Sequence, residues 1–105
     1  MVNTSDIQEL GRKIVEAFHP ERVILFGSYA YGTPSACSDV DLLVVLPFEG
    51  TGFRKALEIL NRVDPSFPVD LVARRPEEVS KRFHEGDPVI REALSRGKVL
   101  YERYG

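Results

Sequence analysis

The sequence has one cysteine, one methionine, two histidines and no tryptophan. The lone Cys37 can form no internal disulfide, and no set of Cys and His has zinc-finger spacing. Disulfide scaffolds and structural zinc are thereby excluded, and a reducing compartment, the cytoplasm, is expected. No apolar run approaches the roughly 20 residues needed to span a bilayer, and the opening MVNTSDIQELGRK lacks the apolar core of a signal peptide. A secreted or membrane-embedded protein is therefore not expected. Positive charge is not in surplus either: 14 Lys and Arg stand against 16 Asp and Glu, a formal net charge of −2. That balance argues against nucleic acid as a partner through bulk electrostatics. Internal repeats and linker-like stretches are also missing.

What is present is a chain of 105 residues with 43% hydrophobic and 29% charged content, the make-up of one folded domain spanning residues 1–105. Ile7, Leu10, Ile14, Val15 and Phe18 recur at helical spacing. Ser5 followed three residues later by Gln8 predicts a capping-box start, and His19-Pro20 a stop. RVILF (22–26) reads as a strand closed by Gly27. DVDLLVVL (39–46) is a second strand, apolar on both faces in its inner part and ended by Pro47. Phe53, Ala56, Leu57, Leu60 and Val63 form a second helical stripe, and Val69 to Ala73 a third strand. Pro76 opens a helix that Gly86 ends, Asp87-Pro88 opens another that Gly97 ends, and Val99 to Tyr101 add an edge strand. The order predicts an α/β (α+β) fold with one small sheet flanked by helices.

The stretch GSYAYGTPSACSDVD (27–41) is not explained by folding alone, because it starts an apolar strand with two carboxylates. Alternation puts Asp39 and Asp41 on one face, with Cα atoms about 6 to 7 Å apart. The helix joining the second and third strands favours a parallel pair, which lets Asp70 lie beside them. Three carboxylates at one sheet end repel; raised pKa values or a bound hard cation relieve the repulsion. Oxygen-only ligands suit Mg²⁺ or Mn²⁺. The Gly27-Ser28 turn falls at the same edge, where Gly27 admits a ligand close to the backbone. There the first amides of a short helix, those of Ser28 and Tyr29, can hold phosphate oxygens. Metal on one side and phosphate on the other describe a nucleoside triphosphate.

Gly-Ser, ten residues, D-x-D and a later strand Asp resemble the signature of the polymerase-β-like nucleotidyltransferase superfamily. The length and the flanking VILFGSYAYG and SDVDLLV are similar to its minimal nucleotidyltransferase group, across roughly residues 5 to 102. The resemblance implies that Asp39 and Asp41 hold two Mg²⁺ ions, and that Asp70 completes one shell and helps deprotonate an acceptor hydroxyl. It also implies that Gly27 and Ser28 bind the β/γ-phosphates. It further implies AMP transfer from ATP to a hydroxyl of a helical HEPN-type partner, as the antitoxin of a toxin–antitoxin module. A catalytically silent module that binds and occludes its partner, and a transferase acting on RNA or a small molecule, are the alternative readings.

Neighbouring residues divide less sharply. Tyr29 and Tyr31 can stack on a base or pack the short helix. Gly32 shapes the nucleotide approach or ends that helix, and Ser38 supports the aspartates or makes a turn. Arg54, Lys55, Arg74 and Arg75 reach phosphates or an acceptor or, the favoured reading, form solvated surface charge. His19 and His84 have no partner at catalytic spacing and read as structural. Tyr101 and Tyr104 pack on the sheet edge or meet a partner.

Overall fold

The computed structural model describes residues 2–104. Nine elements follow in order: α1 (Thr4–Phe18), β1 (Arg22–Phe26), α2 (Ser28–Tyr31), β2 (Val40–Val45), α3 (Gly52–Val63), β3 (Val69–Arg74), α4 (Pro76–His84), α5 (Pro88–Arg96) and β4 (Lys98–Glu102). The four strands form one mixed sheet in the order β3-β2-β1-β4. β1 runs antiparallel to β2 and to β4, while β2 and β3 are parallel, as the intervening helix α3 requires. Among the described residues no helix is long and apolar enough to cross a membrane.

β2 explains the layering. Val40, Leu42 and Val44 point into a core built with Ile7, Leu10 and Ile14 of α1 and Ala56, Ile59 and Val63 of α3. Leu43 and Val45 point the other way, into a core shared with Ile24 and Phe26 of β1, Val79 of α4, and Ile90 and Ala93 of α5. The sheet is thus sandwiched between two helical layers, and its central strand is apolar on both faces for that reason. Each large side chain buried there stabilises the fold by about 1.5–3 kcal/mol relative to an exposed one.

Two local expectations are corrected. The N-cap of α1 is Asn3, whose side chain accepts a hydrogen bond from the Asp6 amide at 2.9 Å, and Ser5 lies inside the first turn with its hydroxyl donating to Asn3. Asn caps at least as well as Ser, so the capping box beginning at Ser5 is bypassed. On α3 the buried stripe is Ala56, Ile59 and Val63. Phe53 and Leu57 are exposed, at 73% and 45%. Leu57 is rotated about 100° from Ala56, and Phe53 sits in the first turn.

Candidate active site

Hydrogen-bond register assembles the site. Phe26 at the end of β1 pairs with Asp41 of β2, and Asp41 pairs with Asp70 of β3. Adjacent strands lie about 4.8 Å apart, so Asp41 and Asp70 project side by side from neighbouring strands. Alternation puts both on the face that carries Leu43 and Val45, the face covered by α4 and α5. Asp39 lies one residue before β2, two before Asp41, and is exposed like Asp70, whereas Asp41 is half-buried. All three aspartates therefore come to one end of the sheet. They do not form a closed cluster: among the described residues no three His, Cys, Asp or Glu side chains are arranged to hold a metal ion.

Gly27 makes the turn beside them. Its φ is +74°, in the region that L side chains avoid, and a Cβ built there would stand 2.1 Å from Oδ2 of Asp41. The Asp41 carboxylate thus lies against a surface that only glycine leaves open. Ser28 begins α2, a single turn closed by hydrogen bonds from the Ala30 and Tyr31 amides to the Gly27 carbonyl, at 3.0 and 3.2 Å. As first residues of a helix, Ser28 and Tyr29 have amides with no partner earlier in that helix. Gly32, at φ +80°, ends it, which favours the helix-ending reading of that residue. Tyr29 and Tyr31 are taken up by packing. The Tyr29 hydroxyl accepts a hydrogen bond from the Val2 amide at 3.1 Å, and the Arg96 guanidinium lies 4.0 Å from the Tyr31 ring centroid.

The electrostatics of the site centre on Asp41. Burial pushes its carboxyl up to about 6, and the negative charges of Asp70, Asp39 and Glu92 add to the push. Glu92, on α5, is a fourth acidic group that sequence reasoning missed. No motif marks it, and only the seating of α5 on β1 brings it near. The donor chemistry fits a hard divalent cation: carboxylate oxygens alone, and a charge repulsion at Asp41 that a cation would relieve.

The remaining candidates lie elsewhere or act structurally. Arg74 and Arg75 follow β3, and Arg54 and Lys55 open α3 after β2, so all four sit at the sheet end opposite the aspartates. Arg75 is not solvated surface charge. Its guanidinium stacks 4.5 Å from the Phe48 ring centroid and donates to the Phe48 and Gly50 carbonyls at 2.8 and 2.5 Å, pinning the loop between β2 and α3. Lys55 lies over Phe18 and pairs with Glu58 at 3.3 Å. The Ser38 hydroxyl accepts from the Ser35 amide at 2.9 Å, a turn contact. His19 caps α1 at φ 49°, and His84 ends α4.

Residues 7–100 match the family described as "Nucleotidyltransferase domain". The chain belongs to that family. The fold of this nucleotidyltransferase domain is shared with solved structures. A Sulfolobus solfataricus protein assigned as a nucleotidyltransferase superposes with a TM-score of 0.65 at 20% identity, over 95% of this chain and 80% of that one. A chain of a toxin–antitoxin complex with AMP-PNP gives a TM-score of 0.58 at 23% identity, over 90% of this chain and 73% of that one. A chain of the toxin–antitoxin MntA-HpeT, in a doubly Asp→Glu-substituted form, gives 0.55 at 22% identity, over 96% and 74%. At these identities the likeness is one of fold. No curated protein matches the chain.

Proposed function

We propose that this domain is a Mg²⁺-dependent nucleotidyltransferase that moves AMP from ATP to a hydroxyl of a partner protein, acting in the cytoplasm as the antitoxin of a toxin–antitoxin pair. The observation that carries the reading is the row Phe26, Asp41, Asp70 across three strands, with Asp39 two residues upstream and Gly27 against the Asp41 carboxylate. Asp39 and Asp41, with Asp70, are the residues that would hold Mg²⁺ (Mn²⁺ as a substitute). Two such ions would neutralise charge on the attacking and leaving oxygens.

The chain's own groups supply position and proton transfer. Gly27 and the Ser28 and Tyr29 amides receive the β/γ-phosphates, setting the α-phosphorus toward the aspartates. β3 is an edge strand and Asp70 is exposed, so an acceptor hydroxyl carried by a second protein can approach it. The Asp70 carboxylate takes the hydroxyl proton. The acceptor oxygen bonds to the α-phosphorus, the bond from there to the bridging oxygen breaks, and pyrophosphate leaves. A helical HEPN-type partner is the acceptor implied by the family resemblance. The toxin–antitoxin neighbours, one of them with AMP-PNP, support the same reading.

The test is label transfer. The purified domain, the product of the adjacent gene, α-labelled ATP and Mg²⁺ are expected to give a labelled partner, and Asp41→Asn to abolish it. Absence of label, or equal label with Asp41→Asn, refutes the enzymatic reading. A silent module that acts by occlusion draws on the lack, among the described residues, of a closed three-carboxylate cluster. That reading predicts that Asp41→Asn still silences the partner.

A further inference from the structure

α2 is the least self-sufficient element of the site. Four residues cannot hold a helical turn by propensity, because nucleation costs more than one turn returns. Its N-cap, Gly27, has no side chain to bond to the turn. What fixes its inner side is Ala30, buried in the core that α1 and α3 share with the sheet, with Tyr29 and Tyr31 packed against the same core. A further contact comes from the opposite layer. The exposed Arg96, in the last turn of α5, lays its guanidinium on the Tyr31 ring at 4.0 Å. α5 itself is firmly seated, with Ile90 and Ala93 buried against Ile24, Phe26 and Leu43.

The coupling to the phosphate-facing turn is direct. The Tyr31 amide donates to the Gly27 carbonyl at 3.2 Å, and the Gly32 and Thr33 amides both donate to the Ser28 carbonyl, the latter at 3.0 Å. A displacement of Tyr31 therefore displaces the Gly27-Ser28 backbone. The hydroxyl of Tyr31 is shielded from solvent and lies near the Glu92 carboxylate of α5; burial, together with that charge, pushes it up from its ordinary range, so it faces the same helix as the ring.

We propose that Arg96 and Tyr31 are positioning residues for the nucleotide, a latch in which α5 holds α2, and with it the Gly27-Ser28 turn, through the stack of guanidinium on ring. The functional half of this inference rests on the nucleotidyltransferase reading above; the mechanical half does not. Stacking of this kind at an exposed site corresponds to a two- to fivefold change in a local equilibrium.

Amide hydrogen exchange of the free protein tests the mechanical half. In Arg96→Ala the amides of Ala30, Tyr31, Gly32 and Thr33 are expected to exchange about two- to fivefold faster, with those of Ala93 and Leu94 in α5 unchanged. Arg96→Lys, which keeps a cation over the ring, restores protection. Unchanged exchange in Arg96→Ala, or no recovery of protection in Arg96→Lys, overturns the latch. The functional half is read from the Kd for ATP with Mg²⁺, expected to rise by the same two- to fivefold in Arg96→Ala and to recover in Arg96→Lys. An unchanged Kd in Arg96→Ala overturns the positioning role. If the wild-type chain binds no ATP, the nucleotidyltransferase reading fails while the exchange data still decide the latch.

Discussion

Gly27 and Asp41 have to be considered as a pair. The glycine's positive φ and the 2.1 Å separation between a built Cβ and Oδ2 of Asp41 mean that Gly27→Ala must either twist the turn or expel the carboxylate. Backbone strain alone makes the loss about 1 kcal/mol or more. The expected outcome is a lower urea midpoint together with loss of ATP binding; a variant that unfolds like wild type and binds ATP normally would contradict it. Asp41 works against the fold. Its carboxyl titrates at about 6 in the folded chain, against about 3.9 in an unfolded one. Between those values the native state keeps a proton the unfolded chain releases, so stability falls as pH rises through that window, and the full penalty is present above about 6. In metal-free buffer Asp41→Asn is therefore expected to raise Tm at pH 8 and to leave it unchanged at pH 3.5. A variant no more stable than wild type at pH 8 would mean that neither burial nor the neighbouring carboxylates penalise the ionised Asp41.

Elements at the margins of the site depend on their caps. Asp87 starts α5, accepting from the Val89 and Ile90 amides at 3.0 and 3.3 Å and pairing with Arg82 at 3.1 Å. Burial pushes its carboxyl up, but those amide bonds and the Arg82 charge outweigh it and hold the group below its ordinary range. Asp87→Ala should cost about 1 kcal/mol in urea unfolding at pH 7. Because the folded pKa is depressed, the difference is present above about pH 4. It shrinks as pH falls through the folded value. A pH-independent difference would point to packing instead. This cap was legible in the sequence as Asp87-Pro88, as were the existence and type of all four longer helices and all four strands. What failed was finer. Asn3 displaced Ser5 as cap because two good capping residues stood close together, and Ile59 replaced Leu57 in the buried stripe because the sheet selects the face of α3.

For the whole molecule, the decisive placement is the strand order β3-β2-β1-β4, which sets Asp41 between the Gly27 turn and Asp70. That the five candidate residues meet at one end of the sheet was legible because the motif names Gly27, Ser28, Asp39 and Asp41, and the helix between strands implies the parallel neighbour that carries Asp70. Glu92 and Arg96 were not, since their approach depends on how α5 seats across β1. No periodicity records that. The same packing places all four of the arginine and lysine candidates after β2 and β3 at the far end of the sheet, away from any phosphate held at Gly27.

The claim on which the rest depends is that Asp39, Asp41 and Asp70 close around divalent cations when a triphosphate occupies the Gly27-Ser28 turn. Its most direct test is a Mn²⁺ titration by electron paramagnetic resonance with a non-hydrolysable ATP analogue, in wild type and in Asp41→Asn and Asp70→Asn. The account predicts Mn²⁺ bound tightly to the wild-type domain with the analogue, and binding weakened at least about tenfold in both variants. Equal binding in all three proteins would contradict it.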